Sequence, residues 1–280
     1  MSILENINIK NLIFDKCRFK NKKFKVIISG GGFRGFYGIG CISLLNELID
    51  NIICFRVSSA GCLPVIYLAA NAEFDKSKEI YKLLSNNYKN NIDLVQSVKE
   101  LIENEIIPEN IHELINNLNV EIIVNRITNN GLKEEIINYF HSKEHLIKCV
   151  QASCCIPFIT YNKYPYCIKI NDSYYLDGSI KKLSPLEYDK NINQLEINFD
   201  KVKYYKYKFK PLDENIDNLI IKGVIDMFLF LNSNNFKNPI ISFNEKSISL
   251  PIIYKYSILN IVYVIYVFIM DILISIVSND

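Results

Sequence analysis

The eight cysteines of this 280-residue chain include no C-x-x-C pair, there is no G-K-[ST] run, and histidine occurs only three times. The first absence removes the usual short-spaced dithiol signature, and the second removes a P-loop for nucleotide phosphates. Charge of one sign is lacking too. The 32 Lys and Arg stand against 30 Asp and Glu, a net +2, and no basic run is interleaved with aromatics, so no nucleic-acid partner is expected. The acidic residues show no spacing that suggests a Ca²⁺ loop. Residues 1–25 mix apolar and charged side chains without the apolar h-region of a secretory signal. In a chain of this length that argues against a disulfide scaffold and for a reducing, intracellular compartment. The adjacent Cys154 and Cys155 read as buried apolar filling.

What is present suits one large α/β domain: 49% of residues are apolar and 22% charged, the ordinary globular range. Residues 24–29 form an apolar run ended abruptly by Gly30-Gly31-Gly32, and 52–57 form a second run. Both are expected as buried strands. Helical spacing over 33–49 and 62–72, with Pro64 tolerated in a first turn, completes the βαβα pattern of a parallel sheet covered by helices. Further along, 75–140 reads as mostly amphipathic helix with Asn-rich breaks and a strand at 120–124. Residues 146–155 read as helix running into Pro157, 168–176 as one strand, 202–209 as an edge strand and 218–231 as helix. The expected fold is an α/β/α three-layer sandwich with a mainly parallel central sheet and a helical C-terminal extension.

Two turns carry the chemistry. Ser58-Ser59-Ala60-Gly61 lies between the second strand and the second helix, the context that gives a nucleophile elbow its meaning. Such a turn projects its central serine at the carboxyl edge of the sheet and aims the following helix's amides at a developing oxyanion. Gly30-Gly31-Gly32-Phe33-Arg34-Gly35 lets backbone N–H groups converge on an anion. Its G-x-G-x-x-G spacing also fits a dinucleotide loop, but the strand ending near Val57 supplies no acidic ribose-binding residue. An oxyanion hole is the better reading. A third element, Leu176-Asp177-Gly178-Ser179, closes a predicted strand.

In that order the three elements resemble the patatin-like phospholipases, which combine a G-G-G-x-[RK]-G loop, a G-x-S-x-G elbow and a D-G-[GA] turn. The Gly-Gly-Gly-Phe-Arg run is similar to that of the cytosolic phospholipases A2. Ala152-Ser153-x-x-x-Pro157 adds a stretch the family carries ahead of its aspartate. The resemblance spans roughly residues 25–187 and implies a serine acyl hydrolase of lipid esters, working through an acyl-enzyme without metal or cofactor. It implies Ser59 as nucleophile, Asp177 as proton acceptor, and the amides of Gly31 and Gly32 as oxyanion hole. Gly30, Gly35, Gly61 and Gly178 belong to the motifs. Arg34 is then a candidate for a lipid phosphate, or a brace for its loop. The implied partner is a membrane lipid or phospholipid substrate.

The histidines accord with a Ser–Asp dyad. His112, His141 and His145 all precede Asp177, so no Ser…Asp…His order can use that aspartate. Asp75 or Asp93 with His141 stays open as a triad, but leaves the Asp177 motif unexplained. Two positions depart from the family pattern: Val57 stands where the elbow has its first glycine, and Ser179 follows Asp177-Gly178. They define the alternative of a catalytically weak or inactive relative acting as a membrane-associated lipid-binding scaffold.

The expected organisation is an N-terminal extension over 1–24, the hydrolase domain over 25–212 and a helical region over 213–257. Residues 258–277 form a nearly continuous apolar stretch whose length matches a bilayer span. Asp271 opposes insertion by about 2.5–3.5 kcal/mol. A membrane-spanning or membrane-associated helix is the expectation there, as a C-terminal anchor.

Overall fold

The computed structural model describes residues 19–72, 82–84, 86–87, 90, 93–180, 193–199, 216–232 and 240–242. The expected edge strand at 202–209, Asp75 and the apolar stretch at 258–277 lie outside them. Among the described residues no helix is long and apolar enough to cross a membrane.

The fold is α/β, a central sheet flanked by helices. Its strands are β1 (Phe24–Ile28), β2 (Ile52–Val57), β3 (Val120–Thr128), β4 (Gly131–Ile137), β5 (Ile168–Ile170), β6 (Ser173–Asp177), β7 (Asn193–Asn198) and β8 (Ile240–Ser242). They run in the order β5-β6-β3-β2-β1-β7-β8, with β4 paired to β3. From β3 through β2, β1 and β7 to β8 every pairing is parallel. The pairings β3–β4, β3–β6 and β5–β6 are antiparallel. The two central parallel strands, β1 and β2, are built from apolar runs. Val26, Ile28, Phe55 and Val57 are all buried, as strands covered on both faces must be.

The helices are α1 (Gly35–Leu45), α2 (Cys62–Ala69), α3 (Leu94–Ile102), α4 (Ile111–Asn117), α5 (Lys143–Ser153) and α6 (Ile216–Asn232). α6 is the C-terminal helix anticipated from sequence, and it lies on α1 at very short range. A Cβ on Gly40 would come within 1.9 Å of the Ile220 carbonyl, and one on Gly223 within 2.1 Å of the Tyr37 carbonyl. The buried Tyr37 hydroxyl donates to the Asp226 carboxylate at 2.9 Å across this contact.

Four expectations need correction. Residues 240–242, inside the region 213–257 expected to be helical, form strand β8, which pairs with β7 at the sheet's edge. The stretch 168–176 is a hairpin, β5 turning into β6 through Asn171 at φ 52°. The strand at 120–124 runs on to Thr128. Residues 131–137, read as part of a helical region, form the edge strand β4. Lys133, Glu134 and Glu135 in its centre are the kind of charges that protect a sheet edge from further pairing, and they erase the strand's apolar signal.

Candidate active site

The topology of β3 brings the two chemical turns together. β4 runs along one edge of β3 over Ile122–Thr128, so β2 and β6 share the other edge end to end. β2 arrives in parallel register and ends with Val57 opposite Ile122. β6 arrives antiparallel and ends with Asp177 opposite Val124. The two carboxyl ends therefore meet over Ile123.

Just past the end of β2, Ser59 is buried and holds φ 51°. A left-handed serine is uncommon and persists only where its surroundings fix it. Two contacts fix this one. Its N–H donates to Ser153 Oγ at 2.8 Å, and Ser153 Oγ in turn donates to the Ile123 carbonyl at 2.7 Å. Gly61 N–H closes the turn on the Ser58 carbonyl at 2.9 Å. A Cβ on Gly61 would meet the Ile28 carbonyl at 2.6 Å, so the elbow's need for glycine falls there. Val57, by contrast, is an ordinary buried strand residue in register with Ile28 and Ile122.

Asp177 is fully buried. One carboxylate oxygen accepts the Ser179 N–H at 2.7 Å. The aspartate's own N–H donates to the Cys155 carbonyl at 2.8 Å, and its carbonyl accepts from the buried Asn125 side chain at 2.7 Å. Gly178 is pinned as well: a Cβ there would lie 2.3 Å from the Ile123 carbonyl. Ser179 stands beside the serine turn, its hydroxyl 3.4 Å from that of Ser58.

The triple-glycine loop covers this meeting point. A Cβ on Gly30 would come within 2.9 Å of Ser59 Cβ and 2.2 Å of Ser179 Oγ, and one on Gly31 would strike the Phe199 ring. Gly32 takes φ 58°, the left-handed conformation that glycine adopts without cost. The loop then enters α1, where Gly35 N–H bonds to the Gly32 and Phe33 carbonyls. Arg34 is buried, and its guanidinium donates to the Phe199 carbonyl at 2.9 Å. It ties the loop to the end of β7.

Two thiols line the floor. Burial pushes Cys62 up to about 12, opposed by a hydrogen bond with Ser153 and assisted by the Asp177 charge. Burial likewise drives Cys154 well above the usual thiol range, with Cys62, Asp177 and Cys155 adding to it, while a hydrogen bond with the Ser59 side chain works the other way. Both are neutral thiols at ordinary pH.

Sequence reasoning overlooked the parts played by Ser153 and Asn125. Ser153 sits in the Ala-Ser-x-x-x-Pro stretch, and Asn125 follows directly on an apolar run, but neither position announces its long-range partner. The alternative of Asp93 with His141 is not assembled. The Asp93 carboxylate accepts from the N–H groups of Val95, Gln96 and Asn162, while His141 stacks on His145 with centroids 4.8 Å apart. Among the described residues no three His, Cys, Asp or Glu side chains gather as metal ligands.

A family model of patatin-like phospholipases matches residues 26–189, which takes in the glycine loop, the serine turn and the aspartate turn. The chain belongs to the patatin-like phospholipase family. Among its relatives is mouse 1-acylglycerol-3-phosphate O-acyltransferase Pnpla3, 23% identical over 59% of this chain and 41% of that protein. Another is human patatin-like phospholipase domain-containing protein 2, 29% identical over 61% of this chain and 35% of that protein. The chain thus spans less than half the length of these curated relatives. Similar solved structures include VipD from Legionella pneumophila, at TM-score 0.39 and 15% identity over 63% of this chain and 49% of that one. ExoU–SpcU from Pseudomonas aeruginosa matches at TM-score 0.40 and 14% identity over 74% of this chain and 51% of that one.

Proposed function

We propose that this patatin-like protein is a serine acyl hydrolase that cleaves fatty acyl esters of lipids through a Ser59–Asp177 dyad. The observation that carries the reading is the convergence of Ser59, held at φ 51°, and Asp177 at two strand ends that abut over Ile123. Ser59 attacks the ester carbonyl, and Asp177 takes its proton. The amides of Gly31 and Gly32 stabilise the tetrahedral oxyanion, a contribution worth about two to three decades in rate per donor. The alcohol leaves, and water then resolves the acyl-enzyme. Arg34 serves this centre by bracing the glycine loop.

Two relatives are acyl-transferring enzymes by name, the mouse 1-acylglycerol-3-phosphate O-acyltransferase and the mouse omega-hydroxyceramide transacylase. Transfer and hydrolysis share acyl-enzyme formation and differ only in the acceptor, so the proposed roles of Ser59 and Asp177 serve either outcome. Of the two departures behind the scaffold alternative, Val57 and Ser179, the first lies in regular strand ahead of an intact turn, which supports the hydrolase reading.

Fluorophosphonate labelling tests the reading. Wild type takes up the probe, and Ser59→Ala does not. Turnover of p-nitrophenyl butyrate drops by about two to four decades in Asp177→Asn, the range for loss of a general base. An adduct independent of Ser59, or full turnover by folded Asp177→Asn, defeats the assignment.

A further inference from the structure

The loop between α5 and β5 presents apolar side chains to solvent beside the candidate active site. Tyr164 is 77% exposed, Phe158 48% and Ile159 39%. They do not dangle. The Phe158 and Tyr166 rings lie 4.5 Å apart, and the Tyr164 ring meets Tyr166 edge-on at 6.1 Å. Thr160 Oγ1 donates to the Cys154 carbonyl at 2.6 Å and accepts the Ile156 N–H at 2.7 Å. The Thr160 carbonyl accepts from Val95 N–H, and Asn162 N–H reaches the Asp93 carboxylate. Phe158 and Tyr166 both sit at positive φ, 62° and 59°. Bulky residues hold that conformation only where the surroundings over-determine it, a pattern concentrated at functional surfaces.

The loop is clamped to the residues that hold the site. Its root is Cys154, next in the chain to Ser153, whose hydroxyl accepts the Ser59 N–H, and Cys155, whose carbonyl receives the Asp177 N–H. At its far end the register Ile168↔Tyr175 brings the chain out at the Asp177 end of β6. From Ile156 to Ile170 the sequence carries Lys163 and Lys169 and no acidic residue, and both lysines are exposed. Tyrosine and phenylalanine beside lysine match the membrane–water boundary, where rings take the headgroup level and ammonium groups meet anionic lipid. Each such lysine near an anionic surface adds to the attraction, and an exposed apolar cluster of this kind marks an interaction site.

We propose that the Ile156–Tyr166 loop is the surface by which the protein docks on anionic lipid bilayers, seating Phe158, Ile159 and Tyr164 at the interface and Lys163 among the headgroups. The inference rests on the lipid-ester reading of Ser59 and gives that site its substrate as packed lipid. Docking at this loop sets Ser59 next to the interface, so an ester need travel only a short way out of the leaflet.

The chain contains no tryptophan, so Tyr164→Trp provides a single reporter at the loop tip of the full chain. On vesicles of phosphatidylcholine and phosphatidylserine its emission shifts to the blue and is quenched by brominated acyl chains. The response is weaker on phosphatidylcholine alone. Adding Phe158→Ser and Ile159→Ser weakens vesicle partition about tenfold or more. A control variant, Tyr139→Trp, places the reporter at an exposed position just past β4, on the other edge of β3, and does not respond. No shift in the Tyr164→Trp variant on the anionic vesicles, or an equal shift in the Tyr139→Trp variant, overturns the proposal. The reporter works equally in a Ser59→Ala background. A chain that docks but takes up no Ser59-dependent fluorophosphonate therefore fails the hydrolase reading and keeps this one.

Discussion

The Ser153 hydroxyl accepts the Ser59 N–H at 2.8 Å while donating to the Ile123 carbonyl at 2.7 Å. One side chain on α5 thus links the strained serine turn to the strand that positions both halves of the site. Ser153→Ala leaves the buried Ser59 amide and the part-buried Ile123 carbonyl short of a partner, at a cost of about 1–3 kcal/mol. It also frees Ser59 to leave φ 51°. The expected result is a lower denaturation midpoint together with a fall of about ten- to a hundredfold in kcat and little change in KM. Denaturation and steady-state kinetics on the same samples check it, and an unaltered kcat would remove Ser153 from the positioning of Ser59.

Gly61→Ala places a methyl 2.6 Å from the Ile28 carbonyl, a backbone atom that cannot swing aside. Strain of this kind costs about 1–3 kcal/mol. The variant should unfold earlier in urea and lose Ser59 labelling out of proportion to its loss of stability. Val57→Gly should behave differently, because Val57 fills buried space inside regular strand. It destabilises without raising the labelling rate.

Gly40→Ala and Gly223→Ala address the seat of α6 on α1. Each methyl would meet a partner carbonyl at about 2 Å, so each variant should loosen the helix pair by about 1–3 kcal/mol. Hydrogen exchange over residues 216–232 should quicken before exchange in β1 and β2 does. Uniform quickening across the sheet would show that α6 unfolds only with the whole domain.

Glu121 governs one part of the acid response. Burial raises its pKa, but hydrogen bonds and charge from Arg56 and Lys25 outweigh this and leave it below the usual carboxylate range. A depressed folded-state pKa means that the pair stabilises above the unfolded value near 4.5 and that this contribution disappears as pH falls through the folded value. Glu121→Gln should therefore cost about 1 kcal/mol at about pH 7, a modest sum because the pair is part-exposed. The difference from wild type should shrink once pH falls below about 4.5 and close only after pH has passed the lower folded value. Urea titrations run from about pH 7 stepwise into the acid range follow the narrowing.

Strands β1 and β2 were readable because continuous apolar runs mark 24–28 and 52–57 and glycine marks the turns that follow; β7 was not, because Gln194, Glu196 and Asn198 alternate with Leu195 and Ile197. The antiparallel half was not. β4 hides its strand character behind Lys133, Glu134 and Glu135, which suit an edge, and the β5–β6 hairpin turns on Asn171, whose left-handed backbone looks like any polar residue in one dimension. Within the site, Ser59, Asp177 and the glycine loop were visible because each forms a turn with a local signature. Ser153 and Asn125 were not assigned roles, since each acts on a partner far along the chain. Arg34 could be read two ways from the sequence, and the bond from its guanidinium to the Phe199 carbonyl lay beyond the reach of any local signature.

The end-to-end meeting of β2 and β6 on β3 has a temporal side. On the ribosome the serine turn emerges early, β3 later, and the aspartate only after α5 and the β5–β6 hairpin have been made. Neither strand end has its counterpart until β3 is in place to align them. A nascent or truncated chain lacking β6 therefore carries the serine but no assembled centre, so whatever chemistry the pair performs is withheld from half-finished molecules.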